Sequence, residues 1–506
     1  MTKSIFKALT GSTAIMLSLS NVASADVTAQ DVWDNWKSYT EGFGQQITVG
    51  NESFSGGTLT LQGLGISMDF PDGKMSGSIE MVEFRENGDG TVTITMSPDY
   101  PLAASVTPPE GDELDMTAIV RQTGMIVVAF GTPDEISYDF SADQMAVDID
   151  KLFVGGENIA PKLNIAMNDI AGQYHVSSAD QKTLTSTIQA GSATTSLNMI
   201  DPTNGATVTL DGTFDNIAGQ SSVTLPNDMD TTNGTWMFSP EFEGSGEYST
   251  GLAKYQMSVE NGAESFAING QVESSTINFA MLDGVLNYGG ASTGTAYEFS
   301  GAQIPFPSVE LNIAESEFQL TMPMVQSDEP KEFGLVAKLI GLGISEDIWG
   351  MFDPTGQLPH DPATLIIDIS GAMNWLFDLT DTKQAEALAK EGKSPAQLHA
   401  IDINDITLSV VGAEVIGNGA FEIDNTDTIT WNGMPAPSGE LNVNINGINV
   451  LMDNLTAMGF LPEEQAMGAR MMLGMFARPA NGEDALTSKI EVKEDGSVSA
   501  NGQRIK

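Results

Sequence analysis

From about residue 45 to 325, apolar and polar positions alternate. "GTLTLQGLGISMDF", "GSIEMVEF", "GTVTITM", "DEISYDF", "KLNIAM", "GATVTLDGTF", "FAINGQV", "STINFAM" and "VELNIAESEFQLTM" all keep a period of two or nearly so, with Gly, Asn and Asp clusters between them. Successive side chains of a strand point to opposite faces, so each run predicts a strand with one apolar and one polar face. The short connections predict antiparallel hairpins. In "FRENGDGTVTITM", a loop of Asn87, Gly88 and Asp89 puts Val82 and Phe84 on one face with Val92 and Ile94.

Helical spacing appears in three places. In "TAQDVWDNWKSYTEGFG", Thr28 and Asp31 form a capping box. Val32, Trp36, Tyr39 and Phe43 recur at helical spacing with Trp33 beside them, and Gly44 suits the C-terminal end. Asp31, Asp34 and Glu41 outweigh Lys37 on its polar side, so the helix is expected to dock on the protein and not on an anionic membrane. Between about 328 and 400, "EPKEFGLVAKLIGLG", "SEDIWGMF" and "DTKQAEALAKEG" read as helices around a strand "ATLIIDISGAM". His399 then ends a short helix or turn, before strands resume. The third place is "INVLMDNLTAMGFLPEEQAMGARMMLGMFARP". Gly459 stops one helix, Pro462 opens the next with Glu463 and Glu464 at its positive end, and Arg478 and Pro479 close it. Met452, Met458, Met467, Met471, Met472 and Met475 crowd this pair. Such a stripe is more often core filler, but Met452, Met458, Met467, Met471 and Met475 are also the candidate apolar ligand contacts, because methionine makes plastic apolar surfaces.

The last run, "TSKIEVKEDGSVSANGQRIK", is patterned almost to its end. A three-residue loop, Glu494-Asp495-Gly496, pairs Val492 with Val498 and Ile490 with Ala500. It places Gly496 in the left-handed position of a G1 bulge and faces Lys489, Glu491 and Lys493 to solvent. A two-residue Asp-Gly loop would set apolar residues against polar ones.

The fold class expected is therefore mainly β: extended antiparallel, curved sheets built from hairpins, with a few helices including a pair before the C-terminal hairpin. The segments are 1–25, a signal peptide; 26–325, an N-terminal helix and antiparallel β region; 326–400, a helical insert region; and 401–506, a C-terminal α+β region. Too few helices are foreseen to cover every sheet face, so the apolar faces must pack sheet on sheet or line a groove.

The signal-peptide reading rests on Lys3 and Lys7, an uncharged apolar run from Ala8 to Leu19, and the small-residue site Ala23-Ser24-Ala25. Cleavage between Ala25 and Asp26 would export the chain to the periplasm. No later stretch of the sequence is long and apolar enough to cross a bilayer as a helix. Removing the leader with its two lysines would take the formal net charge from −47 to −49. That field repels nucleic acid and anionic lipid, and no basic patch is interleaved with aromatics. With no cysteine in 506 residues, thiol catalysis, Cys-ligated metals and covalent haem are excluded.

No catalytic constellation stands out. His175, His360 and His399 lie far apart, without metal-ligand spacing. No G-x-S-x-G elbow nominates a nucleophile. "EGKSP" lacks the upstream glycine of a phosphate loop, because Ala387 occupies that position. The carboxylates of "ENGDG", "DNTDT" and "KEDGS" match no calcium loop and read as turn residues. No cofactor or metal site is indicated. The partners expected are an apolar or lipid ligand and an envelope protein.

"ISGAMNWLFDL", "GAEVIGNGAFEIDN", "MGFLPEEQAMGARMMLGMFARP" and "TSKIEVKEDGSVSANGQR" resemble an exported alphaproteobacterial family, domain of unknown function 2125, best from about residue 365 to the end. The resemblance implies a Gram-negative envelope setting and transfers no residue role. The plan is also similar to large periplasmic proteins whose curved sheets form lipid-accommodating grooves. Three functions fit these features. The first is a non-enzymatic envelope protein holding a lipid or other apolar ligand in a β groove. The second is an acidic structural or interaction protein acting through its surface. The third is a hydrolase with a dispersed site.

Overall fold

The computed structural model describes residues 26–506 apart from 43, 71, 109–110, 160, 178–181, 202–203, 226–240, 380–383, 385, 388–389 and 391–393. The signal-peptide reading at 1–25 and most of the expected helix at 381–392 lie outside these residues. The alternation is realised as one sheet of 27 strands. All its ladders are antiparallel, and each row pairs with the rows before and after it in the chain. The sheet is a meander from Gln46–Ser55 at one edge to Gln503–Arg504 at the other. Four helices are complete enough to bound: α1 (Ala29–Gly42), α2 (Glu346–Phe352), α3 (Ile448–Ala457) and α4 (Glu463–Phe476).

A crease crosses the sheet. Gly63, Gly124, Asp169, Asn216, Gly294 and Gly341 all have φ between 52° and 69°. At Gly63, Asp169, Asn216 and Gly294 the pairing with a neighbouring strand skips one rung between rungs that keep their register; at Gly124 two rungs are skipped, and at Gly341 the pairing with Ala363–Trp375 shifts register. Asp169, for example, falls between Asn168↔Gln144 and Ile170↔Ala142, and Asn216 between Asp215↔Ser192 and Ile217↔Ala190. At the same height other rows break in two, as Glu243–Thr250 and Ala253–Asn261 do. A left-handed residue inside a strand rotates the residues C-terminal to it, so the alternation slips by one there. Leu59 and Leu61 are succeeded by Leu64, and all three are buried in one cluster. Ile170 and Met167 likewise meet in another. One side of the sheet thus stays apolar across the crease.

That side is continuous. One line of paired residues runs Val92–Ala129–Tyr138–Tyr174–Ser186–Ser221–Gly246–Phe279–Tyr288–Leu320–Leu335–Ile369–Ile403–Gly419–Leu441–Ile490–Ala500. The adjacent line, which faces the other way, is mostly hydroxyl, amide and acid: Ser137, His175, Thr185, Ser222, Ser245, then Asn287, Thr321, Ser370, Asp402, Glu440 and Glu491. Aromatic rings lie over glycines on the apolar side. A Cβ on Gly172 would meet Phe140 at 2.4 Å, and one on Gly371 would meet Phe333 at 2.6 Å.

α1 covers the first strands, as its spacing predicts. Thr28 N donates to Asp31 Oδ2 at 2.9 Å and Asp31 N to Thr28 Oγ1 at 3.2 Å, a reciprocal capping box. Gly44 has φ 74° and donates to Glu41 O. Val32 and Trp33 are buried against Leu59, Leu61, Phe84 and Ile94. Val82 and Phe84 do share a face with Val92 and Ile94. The loop, however, is Asn87–Thr91: Glu86 pairs with Val92 and Asn87 N bonds Thr91 O.

Two other expectations are corrected. "EPKEFGLVAKLIGLG" is not a helix but the strand Lys331–Ile344. Phe333, Val336, Ala337 and Ile340 are spaced as on a helix, yet neighbouring strands on both sides take up the backbone, and Gly341 lies on the crease. His399 does not end a helix or turn; it lies within the strand Ala396–Val410 and meets Asn374 Oδ1 at 2.8 Å. The last hairpin adopts its expected register. Val492 pairs with Val498, Ile490 with Ala500, and Gly496 has φ 77°.

Candidate apolar ligand face

The covered and uncovered parts of the apolar side differ sharply. Under α1, Tyr138 is fully buried. Its hydroxyl donates to Asn35 Oδ1 at 2.8 Å and its ring stacks on Tyr174 at 4.4 Å. Burial, and then the neighbouring Tyr174, push its phenol pKa up. Farther along the same side, Tyr248, Ile277, Phe279, Tyr288, Phe318 and Leu335 are 36–48% exposed. These six are linked by pairing: Tyr248↔Ile277, Phe279↔Tyr288, and Tyr288 through Leu320 to Leu335, with Phe318 two residues before Leu320. Contiguous exposed apolar surface of this kind marks an interaction site.

Across the crease the same side continues. Ile66, Gly77, Leu102, Ala118 and Ile149 are paired in line, and so are Leu163, Leu197, Leu210, Met257, Ile268, Phe299 and Val309. Next to the α1 cluster this stretch forms an almost wholly apolar cleft of about 250 Å³, lined by Ile66, Met68, Met75, Ile79, Leu102 and Val120 among others. A larger cleft, about 800 Å³, lies instead over the polar side, where Ser196, Asp211, Gln256, Asn269, Glu298 and Glu310 form one paired line. Its amides and acids partly satisfy one another, as Asn269 Nδ2 donating to Glu298 Oε2 at 3.1 Å does. Volume alone therefore does not nominate it. The apolar side, where burial is incomplete for large side chains, is the better candidate.

The five methionine candidates separate. Met452 is 6% exposed and packs α3 down, and Met458 is half-buried. Met467, Met471 and Met475, with Met472, are 62–69% exposed. The core-filler expectation fails for these four. Ala466 is the buried residue of α4, so the helix packs through its small side and leaves the methionines outside. Pro462 is the N-cap rather than the first helical residue.

The remaining polar candidates have local roles. His175 Nδ1 meets Ser137 Oγ at 2.9 Å across two strands. His360 stacks on Trp349 at 4.3 Å between Glu346 and Asp353. Asp89, Asp424, Asp427 and Asp495 accept bonds from Thr91, Thr426, Thr430 and Ser497, which hold their carboxyl pKa values below the usual range. Among the described residues no helix is long and apolar enough to cross a membrane.

Residues 255–505 match the sequence model of a family described as an uncharacterized protein conserved in bacteria, domain of unknown function 2125. The match supports the family resembled by the segments from residue 365 onward and extends it upstream to the strand Ala253–Asn261. It takes in most of the half-exposed aromatics, the helix pair and the last hairpin, and leaves out α1. No curated protein matches the chain.

Proposed function

We propose that this chain is an exported periplasmic protein that binds a lipid or other apolar ligand along the apolar side of its sheet, in a non-enzymatic envelope role. One observation carries the reading: a mostly apolar line, interrupted by the small residues Ser186, Ser221 and Gly246, crosses the sheet, buried under α1 but half-exposed from Tyr248 to Leu335. Burial of apolar surface is worth about 25 cal/mol per Å², so an acyl chain laid along such a line gains from every rung it covers. The polar reverse side and the formal charge of −47 would keep the loaded protein in water.

The test is lipid extraction and native mass spectrometry of protein purified from the periplasm of a Gram-negative host. Co-purifying lipid is expected, and its loss in a Phe279→Glu/Phe318→Glu variant that keeps its fold. A protein recovered only from the cytoplasm would refute the location. Lipid-free protein that also fails to take up a fluorescent phospholipid would refute the ligand.

A further inference from the structure

We infer that α2, α3 and α4 together form a docking platform for an electrically neutral lipid surface, through which the apolar side of the sheet is loaded; this rests on the ligand reading above. Two of these helices and the α3–α4 connection present large apolar side chains to solvent at one end of the molecule. They are Met351 and Phe352 on α2, Phe460 between α3 and α4, and Met467, Met471 and Met475 on α4. The three methionines repeat every four residues and so share one side of their helix. Asn454 Nδ2 on α3 donates to Gln357 O just beyond α2 at 3.1 Å, which ties the pieces into one unit.

Two observations select the occupant. The first is charge. The acids on these helices are Glu346, Asp347, Asp453, Glu463 and Glu464, and their one cation, Arg470, is held by Asp453 at 2.5 Å. Even with Arg478, exposed just beyond α4, counted beside Arg470, five acids face two cations, and such a surface in a chain this acidic is repelled by anionic headgroups, whereas a neutral interface meets mainly the apolar side chains. The second is continuity with the sheet. The carbonyl of Phe476, at the end of α4, accepts from Ser488 Oγ at 2.6 Å and Asn501 Nδ2 at 3.0 Å. Ser488 pairs with Val443 and Val443 with Gly417, and Ser488 lies two residues from Ile490, on the apolar side. The platform is therefore rooted beside the end of the apolar line. Methionine's unbranched, polarizable side chain suits entry among acyl chains of varied packing.

The experiment is flotation of the full chain, purified as it matures in a Gram-negative host, with phosphatidylcholine vesicles and separately with phosphatidylglycerol-rich vesicles. Wild type is expected to float with the neutral vesicles. The Met467→Ser/Met471→Ser/Met475→Ser variant is expected to lose at least tenfold in bound fraction with an unchanged melting temperature. Trp introduced as Met471→Trp should shift its emission to the blue on adding neutral vesicles. Flotation unchanged in the triple variant, or seen only with anionic vesicles, would overturn the inference, as would a soluble partner protein covering the methionines in place of lipid. Lipid content of the same samples keeps the two readings apart. Protein that carries lipid but does not float defeats the platform alone, and protein that floats but carries none defeats the ligand reading.

Discussion

Phe333 lies across Gly371, and the space that a Cβ would need there is also occupied by the carbonyl of Ala400, at 2.1 Å. Gly371→Val should therefore cost about 1–3 kcal/mol through overpacking, read as a lower urea midpoint. Gly341 tests the crease differently. Its φ is 69°, and its Cβ would meet that of Ala314 at 2.9 Å, so Gly341→Val should lose about 1–2 kcal/mol on backbone grounds alone. A stability unchanged in both would mean the strands are not held as described. The turn aspartates make a prediction about pH. Asp89 and Asp495 have folded pKa values below the unfolded value of about 3.9, so they stabilise the fold above that value and lose the effect as pH falls through their folded pKa. Stability should drop below about pH 4, and Asp89→Ala/Asp495→Ala should flatten that drop. Melting temperatures measured from pH 6 to 3 would check it.

At the scale of elements, a helix matters for what it covers. α1 seals one end of the apolar side with Trp33, whose ring lies 6.1 Å from that of Phe84. Trp33→Ala should cost about 3–5 kcal/mol, and hydrogen exchange should rise first in Thr58–Phe70 and Gly73–Glu86. The helix pair predicts a contrast between two methionines. Met452→Ala should cost about 2–5 kcal/mol, whereas Met471→Ser should stay within about 0.5 kcal/mol, because only the first is buried. Equal effects would return both to the core. The strand Lys331–Ile344 shows why local spacing misled. Its apolar residues satisfy helix and strand periods alike, and the decision came from Val309–Pro323 and Ala363–Trp375, which pair with it on either side.

For the whole molecule, the accessible surface is 29777 Å², whereas a compact chain of 53.6 kDa exposes about 18,000 Å². Roughly twenty rows at about 4.8 Å apart make a sheet on the order of 90 Å along its hydrogen bonds. Small-angle scattering should give a radius of gyration well above the ~23 Å of a compact chain of this length. A value near 23 Å would mean the apolar side is folded in upon itself, and the ligand reading would lose its basis.

Much of this architecture was legible in the chain. Alternation between Gly, Asn and Asp clusters named most of the strands and gave each an apolar and a polar face, since side-chain direction in a strand is a local property of two successive residues. The closing hairpin was legible to its register, because only the Glu494-Asp495-Gly496 loop sets Val492 against Val498. Capping chemistry gave α1 in the same way. What only the tertiary structure decided was non-local. Gly63 read as the interior of a strand, and Asp169 and Asn216 as ordinary turn punctuation, until the ladders set them on one crease. Met467 and Met471 read as core until their helix packed through Ala466 instead. Whether the apolar side from Tyr248 to Leu335 lies open depends on what else in the chain reaches it, and burial is a property of neighbours that no residue carries in its own sequence.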